Sequence, residues 1–99
     1  MIMRIEETRI VVAGFGGQGV MLAGGIIAQA AMFQGRNVTM MMSYGAEMRG
    51  GTANSTVVIS DGEIASPVIE TPDVAVLLNQ PSLDRFEQSM APGGRLILN

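Results

Sequence analysis

Hydrophobic residues along this chain come in short runs that glycine-rich or polar turns separate. Runs of this kind, apolar throughout or alternating with polar residues, are typical of strands in a sheet with at least one buried face. Residues 19–33 are small or apolar at nearly every position, which predicts a helix buried on most sides, and residues 82–90 predict a short amphipathic helix. Methionines 40–42 are expected to fill gaps in the core. The predicted strands are residues 8–13, 38–42, 53–60, 73–79 and 95–99.

Turn residues between these segments organise them into one fold. Gly35 follows the first helix as a C-terminal cap, and the first strand, helix and second strand predict a parallel, right-handed βαβ unit. Asp61-Gly62 predicts a hairpin in which residues 63–66 return as a short antiparallel strand. The fold class is therefore α/β, a Rossmann-like, doubly wound, mostly parallel sheet with an added β-hairpin. We expect residues 1–99 to form a single domain that is the N-terminal part of a longer one, since a strand follows the last turn with no covering helix.

A glycine-rich turn connects the first strand to the first helix. Gly14, Gly16 and Gly19 spell G-x-G-x-x-G, and glycine is required where a chain passes directly from strand to helix at close quarters. The backbone amides of Gly16, Gly17, Gln18 and Gly19 would then lie at a helix N-terminus, which favours an anion. The motif supports two interpretations equally, a cofactor-binding or phosphate-binding loop and a tight packing turn without a ligand. NAD is rejected, because the second strand lacks the acidic residue that would bind the ribose hydroxyls.

A second glycine-rich stretch follows the second strand, at the sheet edge where open α/β sheets bind ligands. It contains Tyr44, Glu47, Arg49, Gly50 and Gly51 within ten residues, from 43 to 52. This combination favours an interface or ligand loop. The alternative is a solvated connector whose acidic and basic side chains form a weak surface ion pair.

Composition excludes several classes of function. The formal net charge is −3 and no basic patch is present, which argues against nucleic-acid binding. The chain contains no cysteine and no histidine, so it offers neither a cysteine-ligated iron–sulfur cluster nor a typical zinc site, and we assign it no catalytic residue and no metal ligand. Glycine and glutamine interrupt the apolar helix, and no signal sequence is recognised, which predicts a cytoplasmic protein without a membrane span.

Four motifs together resemble a known family. GFGGQGV at 14–20, SYGAEMRGG at 43–51, TVVISDGEI at 56–64 and LNQPSLDRF at 78–86 are similar to the gamma subunit of 2-oxoacid:ferredoxin oxidoreductases, over nearly the whole chain from residue 9. The likeness is greater to the 2-oxoglutarate and 2-ketoisovalerate types than to the pyruvate type, because Phe15 stands where the pyruvate enzymes are expected to have arginine.

The resemblance implies a function for a complex rather than for one chain. Such enzymes decarboxylate a 2-oxoacid oxidatively, form its acyl-coenzyme A and reduce ferredoxin, using thiamine diphosphate, Mg and iron–sulfur clusters held mostly by other subunits. It implies alpha, beta and ferredoxin-like delta subunits, and ferredoxin, as partners, and it implies that the isolated chain is inactive. Two other hypotheses remain open from the residues alone: a stand-alone nucleotide-binding or phosphate-binding α/β module, and a structural interface domain without a ligand.

Overall fold

Five strands and two helices build the fold in the computed structural model, which describes residues 7–15, 19–45, 52–64 and 71–98. Except for the return strand predicted at 63–66, each predicted strand and helix has a counterpart, and most differ from the prediction by one to three residues at an end. In chain order the elements are β1 Glu7–Phe15, α1 Val20–Phe33, β2 Asn37–Gly45, β3 Thr52–Ser60, β4 Val74–Leu77, α2 Gln80–Phe86 with a single 3₁₀ turn Glu87–Ser89, and β5 Arg95–Leu98.

The strands form one mixed sheet in the order β2-β3-β1-β4-β5. β4 is parallel to β1 and β5 is parallel to β4, whereas β3 is antiparallel to both of its neighbours, β1 and β2. Four strands therefore point in one direction and β3 alone points in the other. This confirms the predicted α/β class with its mostly parallel sheet. β1 and β2 also share a direction, as the βαβ prediction requires, but β3 lies between them.

The hairpin of the sheet is formed by β2 and β3 rather than by the residues after Asp61. The two described residues of the predicted return strand, Glu63 and Ile64, lie outside any strand, so that prediction was wrong for them, and residues 65–66 lie outside the described part of the chain. The reason is that β1 and β2 already occupy both edges of β3. The Asp61-Gly62 bend instead contacts the α1–β2 corner, where Arg36 Nε lies 3.0 Å from Asp61 Oδ1 and Asn37 Nδ2 donates to the Gly62 carbonyl at 2.6 Å.

One face of the sheet is covered by α2. Val11 and Ala13 of β1 and Ala75 and Leu77 of β4 form a buried cluster on this face. The partly buried side chains that pack on this cluster are Leu83, Phe86 and Met90. Burial of such side chains contributes roughly 25 cal/mol per Å² of apolar surface removed from water, so this layer stabilises the pairing of β1 with β4.

The opposite face is covered by α1, and Gly24 sets how closely the helix approaches. Ser55 pairs with Val12 across β3 and β1, and its hydroxyl donates to the Val20 carbonyl of α1 at 2.9 Å. A Cβ added at Gly24 would meet Ser55 Oγ, and it would lie 2.8 Å from Ser55 Cβ and 3.1 Å from Met40 Cε. The glycine therefore brings the helix backbone into contact with the sheet, where any side chain would hold it away.

The outer side of α1 is exposed, which contradicts the expectation of a helix buried on most sides. Its buried residues are Val20, Gly24, Ala28 and Ala31. Its exposed large apolar side chains are those of Leu22, Ile26, Met32 and Phe33. In the neighbouring edge strand β2, Met41 and Met42 are also exposed, so of the three methionines only Met40 packs partly beneath the helix. A helix that covers a single sheet buries only one of its faces, whatever its composition.

Candidate functional site

The two glycine-rich stretches leave the sheet at the same edge. β1 ends at Phe15, β2 ends at Gly45, and both residues are paired with Thr52, the first residue of β3. Adjacent strands lie about 4.8 Å apart, so the ends of β1 and β2 are separated by about 10 Å. The fold therefore brings the described flanks of both glycine-rich stretches to the carboxyl end of the parallel strands, the usual place for ligands in open α/β sheets.

Gly19 is the last residue of the first glycine-rich stretch and the N-cap from which α1 begins. Its φ of 83° and ψ of 17° place it in the left-handed region, which glycine adopts without strain, and its carbonyl accepts the Ala23 amide at 2.8 Å. Nothing lies within 4 Å of the position that a Cβ would occupy. Glycine is therefore favoured at this position by its backbone conformation and not by a steric clash with a side chain.

The N-terminus of α1 has no side-chain cap among the described residues. Its N-cap is Gly19, which makes no side-chain hydrogen bond, and the first turn carries no acidic residue. The unpaired amides of a first helical turn carry partial positive charge, and a capping carboxylate or hydroxyl would otherwise satisfy them. This end of the helix is therefore compatible with an anion.

Most predicted site residues fall outside the described residues. Gly14 is buried at the end of β1, Gly19 caps α1, and Tyr44 is the penultimate residue of β2. The remaining predicted positions are Gly16, Gly17, Gln18, Glu47, Arg49, Gly50 and Gly51, all outside the described part of the chain.

The edge also contains two residues that sequence reasoning did not select, Asn79 and Arg85. Asn79 follows β4 and caps α2, since its Oδ1 accepts the Ser82 amide at 2.9 Å. Asparagine three residues before serine, with proline between them at the helix start, is a capping signal that the sequence contained. The buried Nδ2 of Asn79 has no hydrogen-bond partner among the described residues.

Arg85 brings a positive charge to the end of β1. It lines a small cavity of about 30 Å³ together with Ala13, Asn54 and Ser82, and its guanidinium lies 5.0 Å from the centre of the Phe86 ring. Nothing in the local sequence distinguishes this arginine from an exposed one on the surface of an amphipathic helix. Only the return of α2 across β4 and β1 brings it to this edge.

The titratable groups with shifted pKa values lie at the other end of the sheet. Among the described residues these are Arg9 and Asp73, at the starts of β1 and β4. The described residues also contain no group of three His, Cys, Asp or Glu side chains that could hold a metal ion. Within the described part of the chain no helix has the length and apolar character to cross a membrane. The described part of this edge contributes the first amides of α1, the Arg85 guanidinium and the unpaired Asn79 Nδ2, groups that can donate hydrogen bonds to an anion.

This combination defines a class: an α/β domain whose glycine-rich stretches begin at the carboxyl edge of its sheet. Residues 9–99 match the pyruvate ferredoxin/flavodoxin oxidoreductase family, and the chain belongs to that family. The resemblance noted from the motifs is thereby confirmed.

Two relatives are named as subunits of a ketoisovalerate oxidoreductase and of a 2-oxoglutarate synthase. The chain is 50% identical over 91 residues to the ketoisovalerate oxidoreductase subunit VorA of Methanothermobacter thermautotrophicus, covering 92% of this chain and 19% of that protein. It is 42% identical over 100 residues to the 2-oxoglutarate synthase subunit KorC of the same organism, covering 100% of this chain and 52% of that protein. The chain thus spans about half the length of the KorC relative and a fifth of VorA.

Solved structures share the fold. The gamma subunit of a keto/oxoacid ferredoxin oxidoreductase from Geobacter sulfurreducens matches with a TM-score of 0.79 at 35% identity, over 94% of this chain and 50% of that one. The 2-oxoglutarate:ferredoxin oxidoreductase of Magnetococcus marinus, solved with 2-oxoglutarate, coenzyme A and succinyl-CoA bound, matches with a TM-score of 0.83 at 28% identity, over 94% of this chain and 16% of that chain.

Proposed function

We propose that this chain is the gamma-type component of a 2-oxoacid:ferredoxin oxidoreductase complex. The proposed substrate is 2-oxoglutarate or 2-ketoisovalerate, because the VorA and KorC relatives carry those activities in their names. In the overall reaction the bond between the carboxylate and the oxo carbon breaks, CO₂ leaves and the acyl carbon forms a thioester with coenzyme A. The thiol proton is released and two electrons pass to oxidised ferredoxin. The cytoplasmic location expected from the sequence, and the alpha, beta and delta subunits as partners, are parts of the same proposal.

The chain's own residues fit a binding role in this complex. Thiamine diphosphate with Mg and the iron–sulfur clusters would supply carbanion stabilisation and electron transfer when bound. This chain has no cysteine to ligate a cluster, and its described residues contain no metal-binding group. We therefore assign those cofactors to the partner subunits and no catalytic residue to this chain.

The observation that carries the proposal is that the flanks of both glycine-rich stretches, Phe15 and Gly45, pair with Thr52 at one sheet edge in a member of this family. At this edge the N-terminus of α1, whose N-cap makes no side-chain hydrogen bond, and Arg85 on the other face of the sheet would both favour an anionic group. We propose that residues 16–19 and the 43–52 loop face the assembled active site. There they would contact a phosphate of coenzyme A or a carboxylate on a partner subunit.

The alternative of a stand-alone nucleotide-binding or phosphate-binding module is not favoured. The two relatives reported above are named as subunits of a ketoisovalerate oxidoreductase and of a 2-oxoglutarate synthase. The family match extends through the sheet to β5 rather than stopping at the glycine motif. A purely structural domain is distinguished from the proposed role by kinetics, since it would contribute to assembly and not to turnover.

Arg49 provides the test of the proposed loop function. A guanidinium binds phosphate or carboxylate through two parallel hydrogen bonds, and lysine keeps the charge but loses that geometry. We expect Arg49→Ala to raise the Michaelis constant for coenzyme A of the reconstituted complex, or to weaken its assembly, by about tenfold, and Arg49→Lys to be harmful as well. Glu47→Gln should do less if Glu47 only orients Arg49.

The matched control is Arg95→Ala, which removes an exposed arginine at the opposite end of the sheet. Steady-state kinetics of the complex and thermal melts of each chain are measured together. Normal kinetics and normal assembly in Arg49→Ala would identify the 43–52 loop as a solvated connector and overturn its proposed role.

A further inference from the structure

Ser55 places a buried hydroxyl among apolar side chains. It lies on the face of β3 that α1 covers, and in the strand register its neighbours are Val12 of β1 and Met42 of β2. Its residue exposure is 0%. Burying a hydroxyl costs free energy unless the group makes a hydrogen bond, and alanine would fill this position without that cost. A serine here therefore indicates a role for the hydrogen bond that it makes.

The partner of this hydroxyl is the first residue of α1. Ser55 Oγ donates to the Val20 carbonyl at 2.9 Å. A helical carbonyl already accepts the amide four residues later, so Val20 does not need the hydroxyl to be satisfied. The N-cap Gly19 makes no side-chain hydrogen bond, and Gly24 has no side chain to interlock with β3. Apolar packing is non-directional, so the bond from Ser55 gives the helix start a directional contact with the sheet.

The register also relates Ser55 to both glycine-rich stretches. Ser55 is three residues from Thr52, the first residue of β3. Thr52 pairs with Phe15 and Gly45, at which the two stretches leave the sheet. A strand rises about 3.3 Å per residue, so Ser55 lies about 10 Å from this edge. One side chain thus connects the strand that follows the second stretch with the helix that follows the first.

We infer that Ser55 is a positioning residue for the anion that the N-terminus of α1 binds. This inference rests on the proposed function and deepens it, since a fully buried hydroxyl acts through the helix and does not touch the ligand. Its hydrogen bond holds the first amides of α1 in the orientation that the anion requires. The anion is a phosphate of coenzyme A or a carboxylate of a partner subunit. Both are remote from the thiol at which the thioester forms, so loss of the hydroxyl weakens binding and spares the chemical step.

The test is made in the complete complex, with each substitution introduced into the full polypeptide that contains these residues. Ser55→Ala removes the hydroxyl and keeps a small side chain against the helix. We expect the Michaelis constant for coenzyme A, or the dissociation constant of the partner subunits, to rise about threefold to tenfold, since misplaced amides lose about the worth of one hydrogen bond. The first result identifies a coenzyme A phosphate as the anion, and the second identifies a carboxylate of the partner. The turnover number and the Michaelis constant for the 2-oxoacid should stay within about twofold of wild type.

Ser60→Ala is the matched control. Ser60 lies on the same strand, is equally buried and accepts the Gly62 amide at 3.1 Å. It is about 17 Å from Ser55, at the opposite end of β3. Each variant loses one hydrogen bond, so both should melt at a slightly lower temperature. A merely structural role would make the two variants alike in kinetics and assembly, whereas a positioning role changes coenzyme A binding or assembly in Ser55→Ala alone.

Amide hydrogen exchange of the complex gives a readout that does not depend on turnover. Exchange at residues 20–24 should be faster in Ser55→Ala than in wild type, and exchange at residues 29–33 should be unchanged. Unchanged exchange at residues 20–24 would show that Ser55 does not fix the helix start, and would overturn the inference.

The kinetic outcomes separate this inference from the proposed function. Wild-type coenzyme A binding and assembly in Ser55→Ala would overturn the positioning role, and an impaired Arg49→Ala complex would leave the proposed function intact. An equal loss in Ser60→Ala would mean a general weakening of the fold and would also overturn it. If the wild-type complex did not turn over a 2-oxoacid with coenzyme A, the proposed function would fail and this inference with it.

Discussion

Two adjacent glycines of α1 have different roles although the sequence makes them look equivalent. Gly24 faces the sheet, where an added Cβ would lie 2.8 Å from Ser55 Cβ. Gly25 borders the open groove with no atom within 4 Å of its Cβ position. Glycine inside a helix costs stability through backbone entropy, so it persists where something else requires it. At Gly24 the close contact between the helix and β3 requires glycine, because a side chain would collide with Ser55.

Alanine substitutions at these two positions should therefore change stability in opposite directions. We expect Gly24→Ala to destabilise the chain by about 1–3 kcal/mol, because the new methyl group forces α1 away from Ser55 and Met40. Gly25→Ala should stabilise it by roughly 0.5–1 kcal/mol through helix propensity. Urea unfolding of the two single variants, followed by circular dichroism, measures both. A stabilised Gly24→Ala variant would mean that the helix does not approach β3 as closely as described.

At the level of elements, the starts of β1, β4 and β5 are held together through Asp73. Its Oδ2 accepts the Arg9 amide at 2.9 Å and Arg9 Nε at 3.2 Å, its own amide donates to the Arg9 carbonyl, and its carbonyl accepts the Arg95 amide. Partial burial acts to raise the pKa of the Asp73 carboxyl. The hydrogen bonds from the Arg9 side chain and amide, together with the Arg9 charge, outweigh burial and hold that pKa below its usual value of 3.8.

This arrangement predicts a loss of stability in acid. Because the pKa of Asp73 is lower in the folded chain than in the unfolded one, the pair stabilises the fold above the unfolded pKa, and this contribution is lost as the pH falls below about 4. The contribution is about 0.5–1 kcal/mol, since both side chains are about one-third exposed and solvent screens the pair. Asp73→Asn should lower stability by this amount at pH 7 and flatten the decline between about pH 4 and pH 2. Asp84→Asn, at an exposed position on α2, is the control, and equal acid profiles for wild type and Asp73→Asn would contradict the role of the pair.

On the scale of the whole molecule, the sheet shows apolar side chains at both of its edges. Met41 and Met42 are exposed on β2, and Leu96, Ile97 and Leu98 are between 40% and 55% exposed on β5. The outer face of α1 adds a further exposed apolar surface. Exposed apolar patches of this kind mark surfaces that bind other folded chain, and we expect these to be covered in the full protein or its complex.

The isolated chain should accordingly have no turnover of its own. Assayed with 2-oxoglutarate or 2-ketoisovalerate, coenzyme A and a viologen dye, the pure 99-residue chain is expected to reduce no dye. It contains no cysteine or histidine, and among its described residues the pKa shifts are confined to the Arg9–Asp73 pair far from the candidate edge. Adding the partner subunits should restore turnover. Dye reduction by the chain alone would disprove its assignment as a non-catalytic component.

Local sequence determined which segments become strands and helices and where they end. The apolar run before Gly14, the Gly35 cap with its φ of 78° and the Asn79-Gln80-Pro81-Ser82 start of α2 each act through neighbouring residues, so their signals are readable along the chain. Both glycine-rich stretches were also found from sequence. The strand order of the sheet determined that their flanks share one edge, as expected for the carboxyl ends of parallel strands.

Strand order and helix exposure were decided only by the tertiary structure. β3 inserts between β1 and β2 because Val57 and Val58 bury both of its faces, and this filled the edge that a hairpin at Asp61-Gly62 would have needed. Arg85 lies at the candidate edge because α2 packs on β1 and β4, which is also a tertiary contact. The apolar composition of α1 says that it avoids water but not what covers it. Hydrophobic burial is non-directional, so the sheet buries one face of the helix and leaves Leu22, Ile26 and Phe33 exposed on the other.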